Sequence, residues 1–546
     1  MTLVILEVSR KQDYIFSSRA LKDNVRRSQE IAYVTGNGGG AFFRKAAGEL
    51  FREEQLVSTG GGHTVLRFPD DGQARAFVSR VTEAALRRFP GMELYAKIME
   101  YDSALSFGDN LEALTKALEA KKARRRASFG WRSVGVEALD RERWTPLPVG
   151  AAERYDPDIE RAIDEMEERL SVPGWTYPRE FGKILKAAPG DDKDDNFLAV
   201  VHIDGNAMGK RSRGLYEDFE KRALDFPDSC AHLRRFSDGI QDDFETAFLM
   251  TAEKLADYCQ RMGKEGGELP IRPVILAGDD VTFVTAGRYG LECARLYLEA
   301  LSDLRNPEDG RPYPACAGVA LVHRNYPFRR AYDLAEDLCS EGKRFGAKID
   351  PDSGVSVMDW HIEFGQLKDS LSELRKDYRT EDGNRLELRP VAVTALDGDG
   401  NRVELPLVPV ESSHEKGTAG LRKKLWEQTG GVRTWRFFRG MCEAIRGEAG
   451  KMARGKIKNL REALKQGEVE SEFYMLDSEI HDLLYHGLNA QYGEEAYKKA
   501  HEQIIGGGGL VKDIFRTVGD ESNKRCLFFD AIEMMDDCVF FGEVET

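Results

Sequence analysis

Phe197-Leu198-Ala199-Val200-Val201-His202-Ile203-Asp204-Gly205-Asn206-Ala207-Met208-Gly209-Lys210 decides how this chain reads. Phe197–Ile203 is a nearly continuous apolar run, the pattern of a strand buried on both faces. It ends on an acid held at a sheet edge. Gly205 and Gly209 then allow the backbone to approach a phosphate closely, which also makes Asn206 and Lys210 candidates to contact it. Working outward, Pro273–Leu276 and Val281–Thr285 read as strands around the turn Ala277-Gly278-Asp279-Asp280. A helical insertion is expected over 216–262. Helices at Tyr289–Leu304 and Arg329–Phe345 and strands at Ala315–His323 and Val355–Trp360 complete the order β-α-β-β-α-β-α-β. This is a ferredoxin-like palm with additions. In that order the first strand and the hairpin are neighbours, so Asp204, Asp279 and Asp280 are expected to converge.

Three unpaired carboxylates in one place repel one another. A pair of Mg2+ (or Mn2+) ions, ~3.5–4 Å apart, would resolve the repulsion, activate a ribose hydroxyl and steady a leaving pyrophosphate. The triphosphate also needs positive charge. Lys343, Arg344 and Lys348 lie at the end of a helix, and Lys210 follows the first acid. Each feature has an ordinary explanation alone. Asp-Asp and Asp-Gly-Asn are common turn chemistry, and a lysine suits a helix C-terminus. Their joint occurrence in one strand order is what points to a site.

The first half repeats the pattern. Val4-Ile5-Leu6-Glu7-Val8-Ser9 matches Ala199–Asp204, and Gly60-Gly61-Gly62-His63 matches the Gly-Asp-Asp turn. Ser9, Gly62 and His63 stand where the second copy has Asp204, Asp279 and Asp280. The duplicate keeps the architecture and lacks the acids, so the acids serve more than the fold. His63 and His202 read as packed strand residues.

Composition bounds the alternatives. The chain has 546 residues, 41% hydrophobic and 32% charged, enough for real cores and too apolar for disorder as the main state. Its net charge of −15 excludes a general nucleic-acid coat. Residues 1–150 nevertheless carry 24 basic and 19 acidic side chains, so the remainder holds −20. Basic clusters at Lys121–Arg126 and Arg433–Lys465 read either as solvated helix faces or as contacts to phosphates. The eight cysteines form no C-x-x-C pair, which argues against a zinc ribbon. No run approaches a membrane span and the N-terminus lacks signal-peptide features, so a cytoplasmic location is expected.

The fold class is α+β, with two ferredoxin-like palms and a mostly helical C-terminal region. The division is 1–126 for an acid-free palm, 127–195 for a connector and 196–365 for the acid-bearing palm. Residues 366–420 read as a strand-turn-strand extension and 421–546 as helical. The turn Asp397–Asn401 fails as a calcium loop, because Arg402 and Val408 stand where Gly and Glu are required. His481-Asp482 is the dipeptide of HD phosphohydrolases without further ligands, and reads as a helical surface pair. Gly506–Gly509 is a break. No Ser/His/Asp or Cys/His constellation and no Walker loop is present.

Glu7-Val8-Ser9-Arg10-Lys11-Gln12-Asp13-Tyr14-Ile15-Phe16, the Gly60–Gly62 turn, Asp204–Gly209, Gly278-Asp279-Asp280 and the helix ending at Lys343 resemble the large polymerase/cyclase subunit of type III CRISPR effector complexes. More distantly, the second palm is similar to GGDEF diguanylate cyclases. The resemblance implies that only the second palm is catalytic and joins ATP 3′ to 5′ into cyclic oligoadenylates, second messengers of antiviral defence. It implies that Asp204, Asp279 and Asp280 hold the metals, that Lys343 touches the triphosphate and that Gly278 lies against the nucleotide. Ala277 departs from the usual glycine. The HD nuclease domain and the cysteine-rich zinc motif of many relatives are missing, which raises the expectation of a stand-alone synthase. The second nucleotide would lie in the palm–palm groove or in a partner chain, such as a second copy. The competing readings are a nucleotide- or RNA-binding scaffold of an RNA-guided complex, and a diguanylate or mononucleotide cyclase.

Overall fold

The computed structural model describes residues 1–36, 39–124, 156–190, 196–352, 354–365, 370–406, 410, 417–449, 454–478 and 514–542. Arg125 and Arg126 of the first basic cluster, His481-Asp482 and Gly506–Gly509 lie outside the described residues, as do 127–155 of the connector.

The first palm contains β1 (Thr2–Ser9), α1 (Lys11–Ile15), α2 (Leu21–Val34), α3 (Ala41–Ala47), β2 (Leu56–Gly60), β3 (His63–Phe68), α4 (Asp71–Arg88), β4 (Glu93–Glu100) and α5 (Phe107–Ala123). Its sheet runs β2-β3-β1-β4, and β1 is antiparallel to both neighbours. The continuous apolar character of β1 follows from burial on both faces. Val4, Leu6 and Val8 join the main core with Phe77 and Val81 of α4. Leu3 and Ile5 instead join Leu111 and Leu114 of α5 and Leu215 and Phe236 from the second palm's insertion. The insertion therefore packs on the far face of the first palm.

Residues 156–190, the described part of the region read as a connector, form regular structure despite their scattered prolines. They hold α6 (Pro157–Arg169), β5 (Trp175–Thr176) and α7 (Phe181–Ala187). Asp156 caps α6, Pro157 opens it, and Ile159, Ile163 and Met166 are buried at helical spacing.

The second palm follows with β6 (Phe197–Gly205), α8 (Met208–Lys221), α9 (Phe226–Arg261), β7 (Gly267–Glu268), β8 (Ile271–Ala277), β9 (Asp280–Ala286), α10 (Gly290–Asp303), β10 (Ala315–His323), α11 (Phe328–Ile349) and β11 (Val355–Glu363). The insertion differs from the expected single stretch over 216–262. It starts at Met208 and breaks into two helices, where Asp225 caps a new start and Pro227 occupies its first turn. α12 (Leu371–Leu374) leads to β12 (Val391–Ala395). The six-stranded sheet has the order β12-β11-β10-β6-β9-β8. The expected strand-turn-strand is a single strand, β12, at the edge of this palm sheet. Beyond it, among the described residues, the chain returns through an isolated bridge between Leu396 and Arg402.

The C-terminal region contains α13 (Gly417–Thr429), α14 (Trp435–Ala449), α15 (Arg454–Gln466) and α16 (Glu468–Asp477), then the two-residue strands β13 (Phe515–Arg516) and β14 (Arg525–Cys526) and a helix, Phe529–Met534. Buried ion pairs fasten this end. Arg389 lies 2.8 Å from both Asp530 and Glu533, and Arg375 lies 2.6 Å from the fully buried Asp359 of β11. Phe541 stacks on Tyr258 of α9 at 5.1 Å. No helix among the described residues is long and apolar enough to cross a membrane.

Candidate active site

Strand register brings the acids together. Asp204, near the end of β6, is the cross-strand partner of Asp280, at the start of β9. The Gly205 N–H donates to the Asp279 carbonyl at 3.2 Å, which ties the end of β6 to the hairpin turn. A Cβ on Gly205 would lie 3.0 Å from Asp279 Cβ, so glycine there serves the approach of two protein segments. Gly278 takes φ +69°, its N–H donates to Gln241 Oε1 at 2.8 Å, and a Cβ on it would lie in van der Waals contact with the first palm's turn, 3.8 Å from the Gly61 nitrogen.

α11 carries Lys343 to the same edge. The helix can lie against β10 because Gly318 has no side chain; a Cβ there would fall 1.9 Å from the Ala335 carbonyl oxygen. Lys343 Nζ then sits 2.5 Å from Asp204 Oδ2 and donates to the Gly205 carbonyl at 3.1 Å. Burial pulls the Lys343 ammonium down, but Asp204 more than offsets this and its pKa is raised.

The other two acids are not neutralised in this way. Burial, then repulsion from Asp204, pushes Asp279 up to about 6. The same two causes push Asp280 up to about 7. Asp280 is 36% exposed overall, yet its Oδ1 is shut off from water and has no hydrogen-bond partner. It lies 3.6 Å from His202 Nδ1, which also lies 3.2 Å from Thr282 Oγ1. Burial holds the His202 imidazole below its ordinary value.

Several residues singled out in the sequence lie elsewhere in the structure. Lys210 is exposed and paired with Asp352, Arg344 lies 2.8 Å from Glu341, and Lys348 lies 3.9 Å from Asp520. The first follows from α8 starting at Met208, and the other two from their place on the outer face of α11. The Asn206 side chain is buried and donates to the Val355 carbonyl at 3.0 Å, a structural tie to β11. Gly209 has open space around it. His202 is packed as read, whereas His63 is exposed at the start of β3.

Lys11 is a functional candidate that the sequence reading did not single out. It lies in the quoted Glu7–Phe16 segment, and only the sheet pairing of the first palm shows where it points. It lines a cleft with Gly61, Gly62, Ala277 and Asp280.

The donor set can be tested against divalent cations. Hard carboxylate oxygens suit Mg2+, and the buried Asp280 Oδ1 is an acceptor with no hydrogen-bond donor among the described residues. Among the described residues, however, no three His, Cys, Asp or Glu side chains are already gathered at ligand spacing. The Lys343 ammonium stands against Asp204 where a cation would compete. The chemistry of the residues fits a metal, and filling the site requires Asp204 to exchange partners.

This chain is similar in fold to Csm1. A Csm1–Csm4 cassette in complex with cA3 is 15% identical and covers 65% of this chain and 54% of its own, with a TM-score of 0.42. The apo Csm1–Csm4 cassette is 13% identical and covers 92% of this chain and 70% of its own, with a TM-score of 0.47. Csm1 of T. onnurineus is 17% identical over 65% of this chain and 52% of its own, with a TM-score of 0.37. The chain thus spans about half the length of the cA3-bound structure. No protein-family model and no curated protein matches it. The chemistry of the site rests on its own geometry.

Proposed function

We propose that the chain is a nucleotidyltransferase that joins ATP into a cyclic oligonucleotide at the second palm, with divalent cations held by Asp204, Asp279 and Asp280. One observation carries this reading: Asp204 and Asp280 are cross-strand partners beside the Asp279 turn, and one buried Asp280 oxygen has no hydrogen-bond donor among the described residues. When bound, the cations would lower the pKa of the attacking ribose hydroxyl and carry the charge of the leaving pyrophosphate.

The chain's own residues supply the rest. Asp279 and Asp280 release the protons that burial favours as they take up cations. Lys343 turns from Asp204 toward the phosphates, a short swing because its Nζ already lies over the Gly205 carbonyl. Gly278, at φ +69° and without a side chain, lets the nucleotide approach the backbone beside the first palm's turn. The family resemblance adds RNA, or other subunits of an RNA-guided complex, as candidate activators, and a second copy of the chain as a candidate holder of the second nucleotide.

Mass spectrometry of the purified protein incubated with ATP and Mg2+ tests this directly. A cyclic oligoadenylate is expected, and Asp279→Ala with Asp280→Ala should abolish it. Unreacted ATP, with and without candidate RNA, overturns the reading. The Lys343–Asp204 ion pair favours a second reading, a nucleotide-binding scaffold without turnover. That reading requires ATP binding that is indifferent to Mg2+.

A further inference from the structure

The segment Arg10–Phe16 of the first palm belongs, by its contacts, to the second palm's site. The Phe16 ring lies 4.4 Å from Tyr332 and 5.3 Å from Phe328, both on α11. Asp13 is paired with Arg329 of the same helix. Arg10 adopts φ 54°, a left-handed conformation that non-glycine residues seldom take, and this turns the chain abruptly out of β1. Lys11 is the first residue of α1.

The Lys11 side chain passes over Gly62. A Cβ there would lie 2.8 Å from Lys11 Cε, so a residue with a side chain would block the path. At its end, Nζ donates to the Gly61 carbonyl. The two palms' hairpin turns abut here: a Cβ on Gly61 would lie 3.9 Å from the Ala277 carbonyl oxygen. Across the cleft is Asp280, whose carboxyl feels the Lys11 charge. Lys11 makes no ion pair among the described residues, whereas Lys343 and Lys210 are both paired with carboxylates. A half-buried ammonium whose hydrogen-bond acceptor is a carbonyl exchanges readily for a phosphoryl oxygen, because the charged acceptor makes the stronger hydrogen bond. Only about 40 Å³ of the cleft is wide enough for water. A phosphate therefore enters by drawing Lys11 off Gly61.

We propose that Lys11, delivered by the acid-free palm, binds the phosphate chain of the nucleoside triphosphate seated over Asp280. This rests on the nucleotide-binding reading above and gives the first palm a direct part in the site.

Calorimetry with Mg2+ and a non-hydrolysable ATP analogue, with adenosine as control, tests it. Lys11→Met should weaken the analogue about tenfold or more while leaving adenosine and the melting temperature unchanged. Lys11→Arg should retain most of the affinity. In turnover, Lys11→Met should raise KM for ATP more than it lowers kcat. Should the variant lose its fold, lysine acetylation of the native protein read by mass spectrometry decides instead: the analogue should protect Lys11 and adenosine should not. Unchanged analogue affinity, equal loss of analogue and adenosine, or no protection overturns the role of Lys11 while the nucleotidyltransferase reading stands. A native protein that binds neither compound overturns both.

Discussion

Lys343 Nζ lies 2.5 Å from Asp204 Oδ2 and 3.1 Å from the Gly205 carbonyl oxygen, so one ammonium contacts both the last acid and the last carbonyl of β6. Asp204 in turn raises the pKa of two neighbours, Asp279 and Asp280. Lys343 is therefore both the counter-ion of the metal-free site and a candidate phosphate ligand.

Replacing Lys343 with Met separates these roles. The ammonium's raised pKa means that its stabilising contribution is fully present at neutral pH and is lost only as pH climbs through that raised value. Without it, three carboxylates face one another, with the Lys11 charge acting on Asp280. We expect a lower melting temperature in chelator and a larger recovery on adding Mg2+ than in the native protein. Turnover should fall by about 10²–10³, the usual loss of a donor aimed at developing charge. Thermal melts with and without Mg2+, and product formation by mass spectrometry, check both.

The acids themselves act with the opposite sign. Asp279 is raised to about 6 and Asp280 to about 7, so the folded protein keeps protons that the unfolded chain has released. Between pH ~4, the ordinary aspartate value, and the raised values, the metal-free protein loses stability as pH rises. Solvent at the partly exposed Asp280 moderates the effect. Asp279→Asn with Asp280→Asn should therefore melt above the native protein at pH 8 in chelator, with the gap closing by pH 4. Mg2+ uptake by the native protein should release protons and tighten as pH rises through 6 to 7, which calorimetry in buffers of different ionisation enthalpy measures.

The palm and its acids were legible because their signals are local and strong. A continuous apolar run ending at Asp204, and a Gly-Asp-Asp turn between two such runs, fix strand order and hence convergence. Lys343 was legible as a charge late on its helix, although that helix does not stop at Gly346 as expected but runs on to Ile349. Its neighbours on the chain were not separable from it, because Arg344 and Lys348 project from other sides of the same helix and find Glu341 and Asp520. Lys11 was not legible as part of the site, since its position depends on pairing between strands that are distant in sequence and on docking of one palm against the other. The buried Arg389 network was equally hidden. Nothing in the local pattern around Arg389 announces that Asp530 and Glu533, more than a hundred residues later, will enclose it.

Arg389 makes that network testable. Its side chain is 1% exposed and satisfies Asp530 and Glu533, which are 3% and 0% exposed. Arg389→Met would leave two carboxylates buried without their cation, and removing one partner of such a cluster costs about 3–5 kcal/mol. Denaturant melts should show a loss of that size. Adding Asp530→Asn and Glu533→Gln should recover part of it, because the stranded charges are then removed.

Gly318 links the fold to the site most directly. It lies on β10 beneath α11, and a Cβ would fall 1.9 Å from the Ala335 carbonyl oxygen and 2.5 Å from the Cys339 nitrogen. Both are backbone atoms, so the clash can be relieved only by moving the helix as a body. Gly318→Ala should cost stability at the upper end of the ~1–3 kcal/mol typical of overpacking. It should also carry Lys343 away from Asp204, since that residue sits one turn beyond Cys339 on the same helix. The affinity for a non-hydrolysable ATP analogue should then fall even at temperatures where the variant is fully folded. A variant that is destabilised but binds normally would show that α11 can shift without disturbing the contact between Lys343 and Asp204.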